Sequence, residues 1–313
     1  MSKAFVFPGQ GAQTVGMGKA LAEAYPVAQA VFEEVDEALG EKLSSLIWDG
    51  DQEELTLTQN AQPALMATSL AAMRALEAEG VTVAAASMVA GHSLGEYSAL
   101  AAAGALSISD CAQLLRTRGQ AMQAAVPVGE GAMAAILGLD LDAVRSLAEE
   151  AAQGGVCQAA NDNDPAQVVV SGDASAVARA VDLAKERGAK RAMLLPVSAP
   201  FHSALMAPAA DVMAEALAKV DVVVPKVPVV ANVLASAVDD PARIKSLLVE
   251  QVTGSVRWRE SVEYMSEQGV TEIWEVGAGK ALTGMVRRIN RDIATRTVGT
   301  PDDVKAAVES MAG

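Results

Sequence analysis

The sequence has few aromatic, histidine and cysteine residues. Aromatic side chains account for 3% of its 313 residues, whereas hydrophobic residues as a whole account for 51%. The core must therefore be formed mainly by aliphatic and small side chains packed between layers of secondary structure. A chain of this length can bury a substantial core in one large domain or two modest ones. We expect a globular α/β protein.

Positive charge is also scarce, with 24 lysine and arginine residues against 39 aspartate and glutamate residues. The formal net charge of -15 argues against a nucleic acid partner, because binding to phosphates requires clustered positive charge. Any site that binds an anion must therefore be local.

The sequence contains only two cysteines, Cys111 and Cys157. They form neither a disulfide framework nor a set of metal ligands, so we expect a reducing, cytoplasmic setting and no bound metal. The N-terminal apolar run, Ala4 to Phe7, is far shorter than a signal-peptide core or the roughly 20 residues of a membrane span. We therefore expect a soluble, unprocessed protein that does not contact a membrane.

The first part of the chain predicts strands that end in glycine-rich turns. A strand over Lys3 to Phe7 leads directly into the loop PGQGAQ, residues 8–13. A helix is predicted over Gln62 to Glu79, because the segment is rich in helix formers, has proline near its start and is followed by glycine. The apolar stretch Ala84 to Ala90 predicts a second strand, which leads into the turn Gly91 to Gly95 and then a helix.

The pattern changes between Gly131 and Pro196, where six elements follow in the order βαββαβ. They are the strand AMAAIL, the helix LDAVRSLAEEAA, the strands VCQAA and QVVVS, the helix ASAVARAVDLAKERG and the strand RAMLLP. This order is typical of a ferredoxin-like lobe, and its length suits a small unit inserted into a larger one. We therefore predict a small subdomain over residues 129–196.

The larger pattern resumes after the small subdomain. Helices are predicted over 205–219, 241–252, 258–268 and 280–290, and strands over 227–231 and 271–276. These elements would complete a mainly parallel sheet with helices on its faces. The large subdomain is therefore predicted to comprise residues 1–128 and 197–313.

The turn Gly91-His92-Ser93-Leu94-Gly95 matches the pattern GxSxG. In this pattern a serine sits on a strained turn between a strand and a helix, with its hydroxyl pushed out of the sheet. The predicted strand before the turn and helix after it are the surroundings that the motif requires, and the helix N-terminus directs backbone N–H groups at the serine. An ordinary strand-to-helix turn remains the alternative. We predict that Ser93 is a nucleophile that carries an acyl group.

A serine hydroxyl needs an adjacent base, and the chain has only two histidines, His92 and His202. Neighbouring side chains on such a tight turn point in different directions, so His92 should not reach the hydroxyl of Ser93. His202 lies in the loop VSAPFHS before a helix, where catalytic groups are commonly placed. We predict His202 as the base.

Acyl transfer also needs hydrogen-bond donors for the oxyanion that develops. The usual pair is the N–H after the nucleophile and one from a loop after a neighbouring strand, which here are Leu94 and Gln10. The loop of Gln10 lacks GxGxxG spacing and does not predict a dinucleotide site.

A helix near residues 110–125 carries Arg118 on its apolar face. The members of that face follow helical spacing: Cys111, Leu114, Leu115, Arg118 and Met122. Arg116 faces away. A buried guanidinium needs an anion, which is either a protein carboxylate in a structural ion pair or the carboxylate of a substrate. The sequence does not decide between them.

Several motifs together resemble the malonyl-CoA:acyl carrier protein transacylase family over nearly the whole chain. They are FVFPGQGAQ, NAQPAL, AGHSLGEYSAL, Arg118-Gly119, SAPFHSALM and EVGAGKALTG, in that order. The resemblance implies an α/β-hydrolase-like core with a ferredoxin-like small subdomain. It also implies that a malonyl group passes from malonyl-CoA to a serine and then to the phosphopantetheine thiol of acyl carrier protein, without a bound cofactor.

The resemblance also implies a role for each matching residue. Ser93 would be the nucleophile, His202 the base, Gln10 and Leu94 the oxyanion donors, and Arg118 the receptor for the malonyl carboxylate. In the family a main-chain carbonyl orients the histidine, and the matching position is Gln251. Family analogy predicts a monomer that serves fatty acid synthesis.

Docking of an acidic carrier protein would require local positive charge. Two basic clusters are present: Lys185, Arg187, Lys190 and Arg191 in the small subdomain, and Lys280, Arg287, Arg288 and Arg291 near a late helix. Either cluster, taken alone, is more often just a solvated surface.

Three alternatives remain open. A serine esterase, lipase or thioesterase also uses GxSxG, although its histidine usually comes late in the chain and more than 100 residues follow His202 here. A polyketide assembly line could use the same transferase. A non-catalytic binding module would keep the fold without turnover, but it would not need Ser93, His202 and Arg118 together.

Overall fold

The computed structural model describes residues 2–197 and 199–312, in which ten strands and fourteen α-helices are found. The strands are β1 (Ser2–Phe7), β2 (Met88–Gly91), β3 (Gly131–Leu137), β4 (Cys157–Asp164), β5 (Gln167–Asp173), β6 (Arg191–Leu194), β7 (Val229–Ala231), β8 (Ser236–Val238), β9 (Val270–Val276) and β10 (Ala294–Val298). The helices of the first half are α1 (Lys19–Ala24), α2 (Pro26–Leu39), α3 (Leu43–Asp49), α4 (Gln52–Thr56), α5 (Thr58–Ala78), α6 (Gly95–Ala102) and α7 (Ile108–Ala124). The remaining helices are α8 (Leu141–Ala152), α9 (Ala174–Glu186), α10 (Ala207–Ala218), α11 (Pro241–Thr253), α12 (Trp258–Glu267), α13 (Ala281–Ile289) and α14 (Pro301–Ala312).

The larger sheet has six strands in the order β10-β9-β1-β2-β7-β8. All neighbouring pairs are parallel except β7 and β8, which are antiparallel. Phe7 at the end of β1 is in register with Gly91 at the end of β2. The loops that follow these two strands therefore leave the sheet at the same edge, which is where sites form in parallel sheets.

Strand β1 runs through the middle of the molecule, and its residues Ala4 to Phe7 are completely buried. Phe5 and Phe7 face a core that includes α5, α6 and α7, whereas Ala4 and Val6 face the opposite core, which includes α12 and α13. Burial on both faces explains why the strand is a continuous apolar run, as is typical of parallel sheets.

The smaller sheet is antiparallel, with the strand order β4-β5-β3-β6. Helices α8 and α9 pack on it around a separate apolar core. The βαββαβ order predicted from the sequence is therefore confirmed, and so is the fold class, a mainly parallel α/β sheet with a ferredoxin-like unit. The boundaries of the two subdomains stay a prediction.

Polar contacts join the smaller sheet to the larger one along β4. Asp162 forms an ion pair with Arg259, and Asp164 forms one with Arg288, at 2.9 and 2.7 Å. Both aspartates are almost fully buried. Arg259 lies on α12 and Arg288 on α13, so these contacts link the smaller sheet to two helices that pack on the larger one.

Two sequence predictions of secondary structure were wrong in part. The predicted strand over Ala84 to Ala90 is a 3₁₀ turn at Val83–Ala85 followed by a short strand, because pairing with β1 begins only where Met88 meets Ala4. The helix predicted to start at Gln62 starts one turn earlier, and Pro63 lies inside it. That first turn is closed by the carbonyl of Leu57, which accepts from the N–H groups of two residues that precede the proline.

The structure adds elements that the sequence analysis did not predict. They are α1 to α4, the edge strands β8 and β10, and the C-terminal helix α14. No helix within residues 2–197 and 199–312 is long and apolar enough to cross a membrane.

Candidate active site

Ser93 lies on a turn that only glycines at two flanking positions allow. A Cβ on Gly91 would lie 1.9 Å from the carbonyl carbon of Gly95, and a Cβ on Gly95 would lie 2.2 Å from the carbonyl oxygen of Phe7. Ser93 itself has a φ of 54°, a left-handed conformation that is uncommon for a residue with a side chain. The turn is therefore tight and strained, as the GxSxG motif predicts.

The loop after β1 packs directly against the serine turn. A Cβ on Gly9 would lie 2.6 Å from the carbonyl oxygen of His92, so the close approach of the two backbones requires glycine there. This packing brings Gln10 to the same cleft as Ser93 and Leu94.

His202 and Ser93 form a hydrogen-bonded pair, with 2.8 Å between Nε2 and Oγ. On the other side of the ring, Nδ1 lies 2.9 Å from the carbonyl oxygen of Gln251 and 3.2 Å from that of Gly254. Carbonyl oxygens can only accept, so Nδ1 carries the proton and Nε2 accepts the proton of the Ser93 hydroxyl. This is the tautomer that a general base requires.

The environment keeps the imidazole of His202 neutral. Burial lowers its pKa to about 3, and the positive charge of Arg118 acts in the same direction. His202 also has a positive φ, at 57°, so both members of the pair are held in left-handed conformations. Strain of this kind persists only where the surrounding contacts impose it.

Arg118 is 1% exposed and has only neutral hydrogen-bond partners. Its Nη1 donates to Oε1 of Gln62 at 2.8 Å, and its Nη2 donates to Oε1 of Gln251 at 2.8 Å and to Oγ of Ser93 at 3.1 Å. Its Nε has no hydrogen-bond acceptor within residues 2–197 and 199–312. Burial lowers the pKa of Arg118, and no carboxylate in that part of the chain forms an ion pair with it.

A buried amide and a buried carboxyl lie behind the serine. The side chain of Gln251 donates from Nε2 to the carbonyl oxygen of Ser93 at 3.0 Å and to Oε2 of Glu96 at 2.8 Å. Asn232 accepts at Oδ1 from the N–H of Ser93 at 2.8 Å. Burial raises the pKa of Glu96 to about 7, although its hydrogen bonds and the charge of Arg118 oppose the shift.

Two backbone donors are free to bind an oxyanion. The N–H groups of Gln10 and Leu94 donate no hydrogen bond within the part of the chain that the structure describes, and both residues line the cleft beside Ser93. Because unpartnered backbone donors are rare, two of them in the cleft beside Ser93 are a candidate site for developing negative charge.

The cleft has a volume of about 280 Å³ and lies between the two sheets. Its polar groups converge at Ser93, His202 and Arg118, and its walls are mostly apolar. The apolar side chains are those of Met122, Met133, Leu195, Val197 and Phe201. A few placed polar groups in an apolar cleft are typical of a site for a small acyl group.

The structure brings together all six residues that the sequence singled out. Five line the cleft, namely Gln10, Ser93, Leu94, Arg118 and His202, and Gln251 lies directly behind them. As expected, His92 does not contact the hydroxyl of Ser93. Its ring is directed elsewhere, with Nε2 2.8 Å from Oδ1 of Asn163 in β4.

Sequence reasoning missed three residues of this network: Gln62, Glu96 and Asn232. Gln62 and Glu96 lie within NAQPAL and AGHSLGEYSAL, the motifs that carried the resemblance, but nothing there showed what they contact. Asn232 follows a strand end of the larger sheet, which was the one signal that could have found it.

The sequence profile of the family described as acyl transferase domain matches residues 4–306. A curated protein of Bacillus subtilis strain 168, named malonyl CoA-acyl carrier protein transacylase, is 50% identical over 99% of this chain and 98% of its own length. The chain belongs to the malonyl-CoA:acyl carrier protein transacylase family. The resemblance seen in the sequence motifs is thereby confirmed.

Solved structures of the transacylase family share the whole fold. The acyl-carrier-protein-S-malonyltransferase of Bartonella henselae is 57% identical, with a TM-score of 0.98 and coverage of 100% of both chains. A malonyl-transacylase solved in complex with its type II polyketide synthase acyl carrier protein is 43% identical, with a TM-score of 0.96, covering 99% of this chain and 100% of that chain.

Proposed function

We propose that this chain transfers a malonyl group from malonyl-CoA to the phosphopantetheine thiol of acyl carrier protein through a malonyl ester on Ser93. The observation that carries the proposal is that Oγ of Ser93 contacts both Nε2 of His202 and Nη2 of Arg118, at 2.8 and 3.1 Å. A single methylene separates the two carbonyl groups of malonyl. The nucleophile and the receptor for the carboxylate must therefore lie side by side, as these two groups do.

The first half-reaction forms the acyl-enzyme. Nε2 of His202 takes the hydroxyl proton while Oγ of Ser93 bonds to the thioester carbon, and the oxyanion accepts hydrogen bonds from the N–H groups of Gln10 and Leu94. The imidazolium keeps its Nδ1–H bond to the carbonyl oxygen of Gln251. The oxyanion then collapses, the carbon–sulfur bond breaks, and His202 gives its proton to the departing coenzyme A thiolate.

The second half-reaction reverses these steps. His202 takes the proton of the phosphopantetheine thiol, the thiolate sulfur bonds to the ester carbon, and the bond to Oγ breaks as Ser93 regains its proton. The scheme is ping-pong, because coenzyme A leaves before the carrier protein reacts.

Acylation also changes what Arg118 can bind. An ester oxygen is a poor acceptor, so the Nη2 bond to Ser93 Oγ weakens when the malonyl ester forms. The freed N–H, together with the unpartnered Nε, is available to the distal carboxylate. A charged hydrogen bond of this kind is stronger than the neutral one it replaces.

The remaining features of the proposal follow the family. We propose that no cofactor takes part beyond the coenzyme A thioester substrate, because the side chains and backbone amides named above supply every proton and charge in the scheme. We also propose that the enzyme is a cytoplasmic monomer that serves fatty acid synthesis. Both cysteines are buried as free thiols, which suits a reducing compartment.

The two basic clusters are the proposed contacts for the carrier protein. Several of their members already have partners, since Arg187 pairs with Glu150 and Arg288 with Asp164. Lys190 is exposed and is a better target for charge reversal. Lys190→Glu should raise the KM for the carrier protein and leave the KM for malonyl-CoA unchanged, and unchanged values for both would remove this cluster from the proposal.

Intact-mass measurement tests the proposed activity. The wild-type protein should gain a malonyl group from malonyl-CoA, keep it in buffer and lose it when holo acyl carrier protein is added. Ser93→Ala should gain none. Ser98→Ala is the matched control. Ser98 is a buried serine on α6, the helix that follows the turn, and its substitution should leave the adduct unchanged.

Two outcomes would overturn the proposal. A wild-type protein that forms no adduct would be a binding module rather than a transferase. An adduct that passes to water as fast as it forms would indicate a thioesterase or esterase.

A further inference from the structure

The carboxyl group of Glu96 lies at the back of the site and is 3% exposed. Its Oε2 accepts two hydrogen bonds, from the backbone N–H of Asn232 at 3.0 Å and from Nε2 of Gln251 at 2.8 Å. No hydrogen bond joins Glu96 directly to the hydroxyl of Ser93 or to His202 among the described residues. The hydrogen bonds of this carboxyl group therefore reach Ser93 and His202 only by way of the two residues that it binds.

Both of these partners hold the backbone of Ser93. Asn232 accepts the N–H of Ser93 at 2.8 Å, and Gln251 donates to the carbonyl oxygen of Ser93 at 3.0 Å. The peptide groups on either side of the strained serine are thus held by residues that Glu96 fixes. Without such restraints a left-handed serine would relax toward a more common conformation and move its hydroxyl.

Glu96 is one of three groups, with Arg118 and the carbonyl oxygen of Ser93, that set which way the side-chain amide of Gln251 faces. In the observed orientation, Oε1 accepts from Arg118 and Nε2 faces two acceptors, the carboxyl of Glu96 and the carbonyl oxygen of Ser93. A flipped amide would place its NH₂ group against the guanidinium and its oxygen against two other oxygens. An acceptor at Glu96 adds to the preference for the observed arrangement.

We propose that Glu96 is a positioning residue for malonyl transfer, which aligns Ser93 with His202 and holds Arg118 in place by fixing Asn232 and Gln251. The inference rests on the proposed function. The side chain at position 96 must bring an oxygen atom to both donors but need not carry a charge, because Oε2 alone accepts both hydrogen bonds. Glutamine can supply that oxygen at the same length, whereas aspartate is one methylene too short.

The experiment compares Glu96→Gln with Glu96→Asp and follows the rate of malonyl-ester formation, together with kcat and KM. We expect Glu96→Gln to stay within about 3-fold of wild type and Glu96→Asp to lose about 10-fold or more in kcat, because small misplacements of reacting groups are costly. Wild-type rates in Glu96→Asp would overturn the proposal. A loss in Glu96→Gln as large as that in Glu96→Asp would also overturn it, since an oxygen atom at the right reach would then not be sufficient.

Glu275 provides matched controls. It is a fully buried carboxyl that likewise accepts two hydrogen bonds, from the N–H groups of Leu282 and Thr283 at 3.1 and 2.7 Å, and it does not line the cleft. Glu275→Asp should lower the thermal midpoint and leave the rates per folded enzyme unchanged. An equal loss of rate in this variant would show that the effect at Glu96 is one of general stability.

A second readout separates this inference from the proposed function. Labelling of Ser93 by a fluorophosphonate needs an aligned serine and histidine but no malonyl substrate, and it should also be slower in Glu96→Asp. If wild type is labelled but never malonylated, the proposed function fails. The positioning role is then still tested by comparing the labelling rates of wild type and Glu96→Asp. If Glu96→Asp does not fold, Gln251→Leu removes the same link from its other side, and normal labelling in that variant would overturn the inference.

Discussion

Two arginines on α7, two residues apart in sequence, have contrasting surroundings. Arg116 lies near the surface, where it forms an ion pair with the carboxylate of Glu41 and a hydrogen bond to Asn60. Arg118 lies in the interior, where its partners are two side-chain amides and the hydroxyl of Ser93. The first guanidinium has its charge paired, whereas the second does not.

The two arginines differ in burial and in partners, and the neutral partners of Arg118 are what make it the proposed receptor for a carboxylate. A buried guanidinium with only neutral acceptors keeps an attraction for an anion that a salt-bridged arginine has already satisfied. The sequence left two interpretations of Arg118 open. In the described residues the structural ion pair occurs at Arg116, the residue expected to face away, and does not occur at Arg118.

The largest expected effect is that of Arg118→Ala on malonyl transfer. Loss of the charged hydrogen bonds to the distal carboxylate should lower kcat/KM for malonyl-CoA by roughly 100-fold or more, about 3 kcal/mol. Transfer from acetyl-CoA should be kept or improved, because acetyl has no carboxylate. Steady-state kinetics with both substrates measures the difference, and equal losses would show that Arg118 does not select malonyl.

A smaller loss is expected for Arg118→Lys, which keeps the charge. Lysine lacks the planar fork that contacts Gln62 and Gln251 at the same time, so we expect a loss of about 10-fold for malonyl-CoA. Steady-state kinetics with malonyl-CoA measures this loss. Wild-type kcat/KM in this variant would mean that charge alone holds the substrate carboxylate.

The two arginines should also differ in their effect on His202. Because the charge of Arg118 contributes to lowering the pKa of His202 to about 3, Arg118→Gln should raise that pKa, whereas Arg116→Gln should leave it unchanged. Histidine NMR titration can follow this, since the chain has only two histidines. If the pKa of His202 shifted by the same amount in both variants, the two arginines would not differ in their effect on this histidine.

The low pKa of His202 also affects stability. Between pH 6.5, the ordinary pKa, and about pH 3, the folded protein binds fewer protons at this residue than the unfolded chain does. The contribution of His202 to the free energy of unfolding is therefore present above pH 6.5 and is lost as the pH falls through this window. Denaturant titrations at several pH values should show a slope in that window, and His202→Gln should reduce it.

The smallest expected effect is that of Arg116→Gln. Its ion pair is partly exposed, with Glu41 half accessible to solvent, so the loss should be at most about 1 kcal/mol of unfolding free energy. Malonyl transfer should not change. Surface substitutions usually change free energies by no more than about 0.5 kcal/mol, which corresponds to about 2-fold. A larger drop in kcat/KM would show that Arg116 affects the site at Arg118.

The sequence predicted the serine turn well because its chemistry is local. Strand, glycine, serine, glycine and helix lie within a few residues, and the close backbone contacts at Gly91 and Gly95 leave few alternatives. The small sheet was predicted for the same reason, since its order depends on short elements with clear periodicity. Both features can be inferred without knowing distant contacts.

The contacts of Gln62 and Asn232 could not be predicted because they join residues that are distant in sequence. The bond between Ser93 and Asn232 spans 139 positions, and that between Arg118 and Gln62 spans 56. Neither spacing leaves a periodic signal. The start of the strand predicted over Ala84 to Ala90 was wrong for a related reason, since it depends on pairing with β1 rather than on the strand's own apolar residues.

The most direct test of the account is a crystal structure of the enzyme carrying a malonyl ester on Ser93. The account predicts that the distal carboxylate lies within hydrogen-bond distance of the Arg118 guanidinium, with the ester carbonyl oxygen at the N–H groups of Gln10 and Leu94. A carboxylate directed toward solvent, with Arg118 still bound only to Gln62 and Gln251, would contradict it.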